Sequence, residues 1–212
     1  MPLISKTLTE EGGTLVLWRM NETTEELKGF QFSKNSWLAN DGNNHPLRLR
    51  QKLSTRALLH ELDPEDPIEV RKDPDGRPWP VNKPGFISIT HTSEFVAALY
   101  HPTRPCGIDI EQPSERILKI ADRFVHPVEN EQIRTDDIVQ DTTLIWCIKE
   151  CMFKQLGRKG VAFRDHLRVG LVNSQGEYSN RGIAMDLLQD PPVRIHYRWS
   201  RLDNLILVHT IA

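Results

Sequence analysis

Apolar residues recur along the chain with two periods. From Arg48 to Leu62, the residues Leu49, Leu53, Ala57, Leu58 and Leu62 fall three or four apart, and Asp63-Pro64 ends the run, which predicts an amphipathic helix. Asp141 to Leu156 repeats that spacing through Leu144, Ile145, Ile148, Met152 and Leu156, with Gly157 placed to stop it. A shorter helix is expected from Ser114 to Phe124, with Ser114 as its cap. Strand patterns stand between. Thr14 to Trp18 follows a Gly-Gly turn signal, Phe86 to Thr90 alternates apolar with polar, and Phe95 to Tyr100 offers it a hairpin partner. Val193 to Trp199 and Leu205 to His209 repeat that layout around a turn at Leu202-Asp203-Asn204, and Cys106 to Glu111 reads as one more strand. The stretch after the first strand reads as polar connection, Asp73 to Gly85 as a Pro- and Gly-rich loop, and Tyr178 to Pro192 as insertion or loop.

Strand, helix and hairpin thus occur twice, which predicts an α+β chain in two lobes, 1–105 and 106–212, divided near Pro105. Composition narrows the function. A chain of 212 residues with 38% hydrophobic content can bury a core. A net charge of -2 argues against a nucleic-acid partner and leaves room only for a local anion pocket. The start MPLISKTLTEEGG lacks the basic and apolar regions of a leader, and no apolar run nears the roughly 18 residues of a membrane helix, so a cytoplasmic protein with no membrane partner is expected. Three cysteines without a C-x-x-C pair give neither a disulfide framework nor a zinc site; Cys147 and Cys151 read as small core residues.

The candidate chemistry is acidic. Asp109 and Glu111, two apart on a strand, put two carboxylates on one face while Ile108 and Ile110 are expected to turn to the core. Two close anions repel unless solvated or sharing a cation, and an oxygen-only donor set favours a hard ion such as magnesium. A solvated edge strand carries such a pair equally well. About forty residues on, Glu150 and Lys154 share a helix face, which serves an ordinary surface ion pair as readily as a site.

The combination is more specific than either half. Gly107-Ile108-Asp109-Ile110-Glu111 followed by Trp146-x-x-Lys149-Glu150-x-x-x-Lys154 resembles the signature of the 4′-phosphopantetheinyl transferase superfamily, and more closely its two-lobed, surfactin-synthetase-activating type. The resemblance implies two similar lobes forming a pseudo-dimer, and a monomer. It implies transfer of the 4′-phosphopantetheine moiety of coenzyme A, the cosubstrate, to a serine of an apo acyl or peptidyl carrier protein, with release of 3′,5′-ADP. Magnesium (Mg2+) would be held by Asp109, Glu111 and Glu150 against the pyrophosphate, with Lys154 on the phosphate or leaving group. Arg123-Phe124-Val125-x-x-x-Glu129 is similar to the family's R-F-F-x-x-x-E segment and makes Glu129 a candidate general base, with Lys149 the alternative.

In the first lobe, Asp75-Gly76-Arg77-Pro78 resembles the family's G-K/R-P loop and Ile87 to Thr92 its F-N-x-S-H-S strand end, which points to Arg77, Thr90 and His91 as nucleotide contacts. Arg56 sits where the family has its arginine for the 3′-phosphate; Arg48 and Lys52 are looser candidates on the same basic helix. Cys147 and Cys151 stand for the usual serine and alanine, Thr90 for serine and Arg77 for the commoner lysine, and none removes a ligand. Carrier proteins of this kind are acidic with one apolar helix face, so their docking surface is expected near Ile117 to Ile138. Two other readings stay open: a coenzyme A-binding protein without transferase activity, and another Mg-dependent phosphotransferase or nucleotide hydrolase, although no Gly-rich phosphate loop favours the latter.

Overall fold

The computed structural model describes residues 3–29, 45–171 and 179–212, which fall into two compact units, Met1–Pro105 and Cys106–Ala212. In the first unit an antiparallel sheet of β1 (Leu3–Leu8), β2 (Thr14–Arg19), β5 (Phe86–His91) and β6 (Phe95–His101) runs in the order β1-β2-β6-β5. Its strand pairs hold register by alternation; Val16 and Trp18 of β2 stand opposite Ala98 and Val96 of β6. These residues form one core with Ala57, Leu58, Leu59 and Leu62 of helix α2 (Pro46–Leu62). Helix α2 begins two residues before the predicted Arg48 because Pro46, with its fixed φ and missing N–H, suits the first turn.

Two parts of this unit carry more structure than expected. The polar stretch after β2 contains helix α1 (Thr24–Gly29), started by a capping box: Glu26 N–H donates to Thr23 Oγ1 (3.2 Å) and Thr23 N–H donates to Glu26 Oε2 (2.8 Å). The Pro- and Gly-rich segment pairs with what precedes it as a short hairpin, β3 (Val70–Lys72) with β4 (Pro78–Pro80). Asp73 Oδ1 ties the hairpin turn by accepting from the N–H groups of Asp75 and Arg77, both at 2.9 Å, and Gly76 supplies the positive φ of 82°.

The second unit is an antiparallel sheet of β7 (Cys106–Glu111), β8 (Leu167–Val169), β9 (Arg181–Asp186), β10 (Val193–Leu202) and β11 (Leu205–Ile211), in the order β7-β11-β10-β9-β8. The long helix α4 (Ile138–Leu156) packs on one face through Leu144, Ile145, Ile148 and Met152. Gly157, at φ 58°, ends it in the left-handed conformation and donates its N–H to Phe153 O. A two-residue turn joins β10 to β11, with Asp203 at φ 53°.

Strand β9 corrects the reading of Tyr178 to Pro192 as loop or insertion; Tyr178 itself lies outside the described residues. Its inward positions are Gly182, Ala184 and Asp186, while Ile183 turns outward, so the apolar alternation that marks a strand is inverted. A Cβ at Gly182 would stand 2.3 Å from the Tyr197 hydroxyl, and the buried Asp186 pairs with Arg158. The segment Glu115–Arg123 is helical as expected but wound as a 3₁₀ helix without a single buried residue, and Ser114 caps it by accepting from Arg116 N–H (3.4 Å). Two short helices, α3 (Pro127–Asn130) and α5 (Phe163–His166), complete the unit.

Candidate active site: an acidic strand end under a lysine-bearing helix

Register decides which way the acidic strand faces. Asp109 pairs with Val208 and Glu111 with Ile206, and both partners belong to the core beneath α4. Asp109 and Glu111 therefore point toward the helix, and Ile108 and Ile110, both buried, point to the opposite face of the sheet. The isoleucines are buried as expected, on the face of the sheet away from α4. Gly107 lies on the same side as the carboxylates. A Cβ there would stand 2.0 Å from the Cys151 carbonyl oxygen, so only glycine lets α4 settle this close to β7. Cys147 and Cys151, fully buried, are the small residues of that approach; Cys151 Sγ–H donates to Val208 O at 3.2 Å. Burial first, then Asp109, raise both thiols well above the usual range, which leaves them inert.

Close approach brings the helix's charges over the strand. Lys154 Nζ donates to Asp109 Oδ1 at 2.7 Å and to Ile108 O at 2.9 Å. Within ion-pair distance the lysine's carboxylate partner among the described residues is Asp109, rather than the Glu150 one turn before it. Burial works against this ammonium, but Asp109 and its neighbours outweigh it and the net shift is upward. Glu150 is raised by burial, with Lys154 pulling it down and Asp109 pushing it up. Glu111 is pushed up to about 7, by burial first and then by Asp109 and Glu150, against Lys154 and a hydrogen bond from Trp146. Trp146 is itself held edge-on by Phe124, ring centroids 5.0 Å apart at 66°, and by Phe163 at 5.6 Å. Three carboxylates against one lysine, with Asp109 pushing up both Glu111 and Glu150, make a donor set suited to a hard cation. As placed, among the described residues no three His, Cys, Asp or Glu side chains are arranged to hold a metal ion. Asp109 spends one oxygen on Lys154.

Glu129 and Lys149 lie elsewhere. Both are fully buried and face each other at 2.7 Å. The three hydrogens of the Lys149 ammonium go to Glu129 Oε2, Phe124 O (2.6 Å) and Phe163 O (3.0 Å). Glu129 accepts further from His126 N–H and Val169 N–H, each at 2.7 Å, and so caps α3 and anchors β8. Burial raises the carboxyl and lowers the ammonium, and each partner opposes the other's shift. In this structure Glu129 and Lys149 expose no atom that a carrier hydroxyl could touch directly. Their arrangement joins five segments of the unit instead.

In the first unit, Arg48 and His91 line one recess of about 630 Å³ together with His45, Leu47 and Gln51. It forms because the α2 amino end is tied to the β5–β6 turn: Gln51 Nε2 donates to Thr92 O (2.8 Å) and Arg50 Nη2 to Ser93 O (3.0 Å). Lys52 and Arg56 continue the Arg48 stripe at successive helical turns, partly buried. Thr90, beside His91 on β5, is buried on the other face of its strand, and Arg77 sits at the β3–β4 turn, neither of them lining the recess.

The carboxylates and Lys154 fall within a segment with known relatives. Residues 105–201 match the profile of the family described as the 4′-phosphopantetheinyl transferase superfamily. A protein of Aneurinibacillus migulanus named 4′-phosphopantetheinyl transferase gsp is 35% identical over 116 residues, 52% of this chain and 47% of that protein. The chain thus spans about half the length of this relative. The matched segment holds Gly107, Asp109, Glu111, Trp146, Glu150 and Lys154, whereas the Arg48–His91 recess precedes it. Sequence reasoning gave roles to the charged residues of this matched segment and quoted Gly107 and Trp146 in its motif without giving either a role. The signal was present, since a glycine two residues before an acidic pair on a buried strand marks a close backbone approach.

Proposed function

We propose that the chain transfers the 4′-phosphopantetheine moiety of coenzyme A to a serine of an apo acyl or peptidyl carrier protein and releases 3′,5′-ADP. One observation supports this most directly: Asp109 and Glu111 from β7 meet Glu150 and Lys154 from α4 within a segment of the superfamily. Three carboxylates repel a pyrophosphate, so the site needs a divalent cation to take that substrate. Asp109, Glu111 and Glu150 would hold Mg2+, which when bound neutralises phosphate charge and polarises the phosphorus. Lys154, fixed on Asp109, adds positive charge beside the departing phosphate. The serine oxygen forms a bond to the phosphorus bearing pantetheine, and the bond from that phosphorus to the 3′,5′-ADP oxygen breaks. The serine proton goes to a site carboxylate, Glu111 or Glu150.

The Arg48–His91 recess suits the nucleotide end of coenzyme A, with Arg56, Lys52 and Arg77 as further phosphate contacts and Thr90 as a supporting hydroxyl. A monomer in the cytoplasm fits the reading, and no helix among the described residues is long and apolar enough to cross a membrane. Mass spectrometry of an apo carrier protein after incubation with the chain, coenzyme A and magnesium tests the proposal. The expected result is a gain of one phosphopantetheine arm, abolished by chelator and by Asp109→Ala. Unmodified carrier with the wild-type chain would overturn it.

A further inference from the structure

The sheet of the second unit has a face turned away from α4, and on β8, β9 and β10 that face carries charge the proposed chemistry leaves unused. Leu167, Val169, Ala184, Ile195 and Tyr197 enter the core beneath α4, so the residues between them point to the other side. Register sets these in three rows: Arg168 and Arg194 either side of Met185, then Ile183 opposite His196, then Arg181 opposite Arg198. Four arginines thus frame an apolar centre of Met185 and Ile183, the latter 41% exposed. The three strands contain no lysine, and their one acidic residue, Asp186, is buried on the α4 side against Arg158. Arg168, Arg181 and Arg194 enter no ion pair among the described residues. Arg168 Nη1 is buried and meets no hydrogen-bond acceptor among them, and burial lowers the pKa of its guanidinium. Arg181 stands directly across from Arg198, an arrangement of like charges that repels.

We infer that this face docks an acidic protein surface whose carboxylates surround an apolar spot. The inference is independent of the proposed function. Three features select that occupant. The cations are all guanidinium groups, whose planar fork takes a carboxylate through two hydrogen bonds and which give up their hydration more readily than lysine does. Arginine and methionine without lysine is also the composition that marks the buried centre of protein interfaces. The apolar middle row argues against a phosphodiester chain, which would lay charge across Ile183 and Met185, and the net charge of -2 gives the chain no wider basic track to follow. A partner of complementary charge would be steered to the rows of arginine and then bury Ile183. Because Asp109 and Glu111 face α4, an occupant of this face leaves their side of the sheet open.

Titration of the full chain with four probes, followed by nuclear magnetic resonance, tests this: a peptide of glutamate and leucine, polyglutamate, single-stranded RNA, and vesicles of phosphatidylglycerol. The expected result is that the Glu-Leu peptide binds tightest and shifts the methyl resonances of Ile183 and Met185. Arg168→Ala combined with Arg194→Ala should weaken it about tenfold, while Arg201→Ala, an arginine of β10 that reaches Gln140 on the α4 side, should leave it unchanged. Ile183→Glu keeps every arginine and alters an exposed position, so it should fold as wild type does and still lose the peptide. Arg194→Glu should recover binding to a peptide of lysine and leucine. Failure of the Glu-Leu peptide to bind, or equal affinity for polyglutamate, overturns the inference. So does equal weakening by Arg201→Ala, which would mean diffuse attraction, and so does tighter binding of RNA or vesicles, which would assign the face to phosphate-bearing partners.

Discussion

Gly107 sets the distance between strand and helix, and through it the meeting of Asp109 with Lys154. Gly107→Ala would place a methyl 2.0 Å from the Cys151 carbonyl, so α4 must lift; a loss of about 1–3 kcal/mol in chemical denaturation is expected, together with loss of magnesium-dependent stabilisation. Lys149→Met would leave the Glu129 carboxylate buried without its partner and should cost about 3–5 kcal/mol, whereas the double change Lys149→Met with Glu129→Leu should recover most of that. Recovery by the double variant is what separates a buried ion pair from a catalytic one. The Glu111 carboxyl gives a pH signature. Its pKa rises from 4.5 to about 7 on folding, so the folded chain binds this proton more tightly than the unfolded one. In chelator, its contribution to stability is complete below about pH 4.5 and is lost as pH climbs through about 7. Melting temperature should fall across that window, and added magnesium should raise it far more at pH 8 than at pH 5. At this scale the acidic pair, Glu150 and Lys154 were legible because charge at strand and helix spacing survives in the sequence. That Glu129 and Lys149 are buried and paired was not legible, because nothing local tells a buried charge that has found its partner from an exposed one awaiting a substrate.

Elements whose apolar side follows a single period were legible: α2, α4, β5, β6, β7 and the β10–β11 hairpin stand where that period puts them. Strand β9 escaped because Gly182 makes room for Tyr197 and Asp186 for Arg158, so the inward side of the strand is small or charged. The 3₁₀ segment was read as a helix without its winding, because Ile117, Ile120 and Ala121 fit either kind. Which face of β7 meets α4 depended on its pairing with β11, a contact about a hundred residues away that no local pattern encodes. The end of α4 carries its own test. Gly157→Ala forces a β-carbon into the left-handed region and should cost about 1–2 kcal/mol in denaturant, fraying the turn that bears Lys154.

Over the whole molecule, two units each enclose a separate core, Val16, Leu58 and Val96 in one and Ile145, Ile148 and Val208 in the other. The expected division of labour puts cationic recess and acidic cluster in different units. Charge reversal at Arg48 should therefore weaken coenzyme A binding while leaving the magnesium-induced rise in melting temperature intact, and Asp109→Ala should abolish that rise. The Glu129–Lys149 knot has a further consequence. Apolar contact is indifferent to direction, so a core of leucines and isoleucines tolerates many arrangements of similar energy. An ammonium with three acceptors at fixed bearings tolerates one. Replacing the pair by Leu and Met should thus blur the spectrum before it lowers the melting point: broadened amide resonances around Phe124, Phe163 and Val169 in a chain that still melts cooperatively.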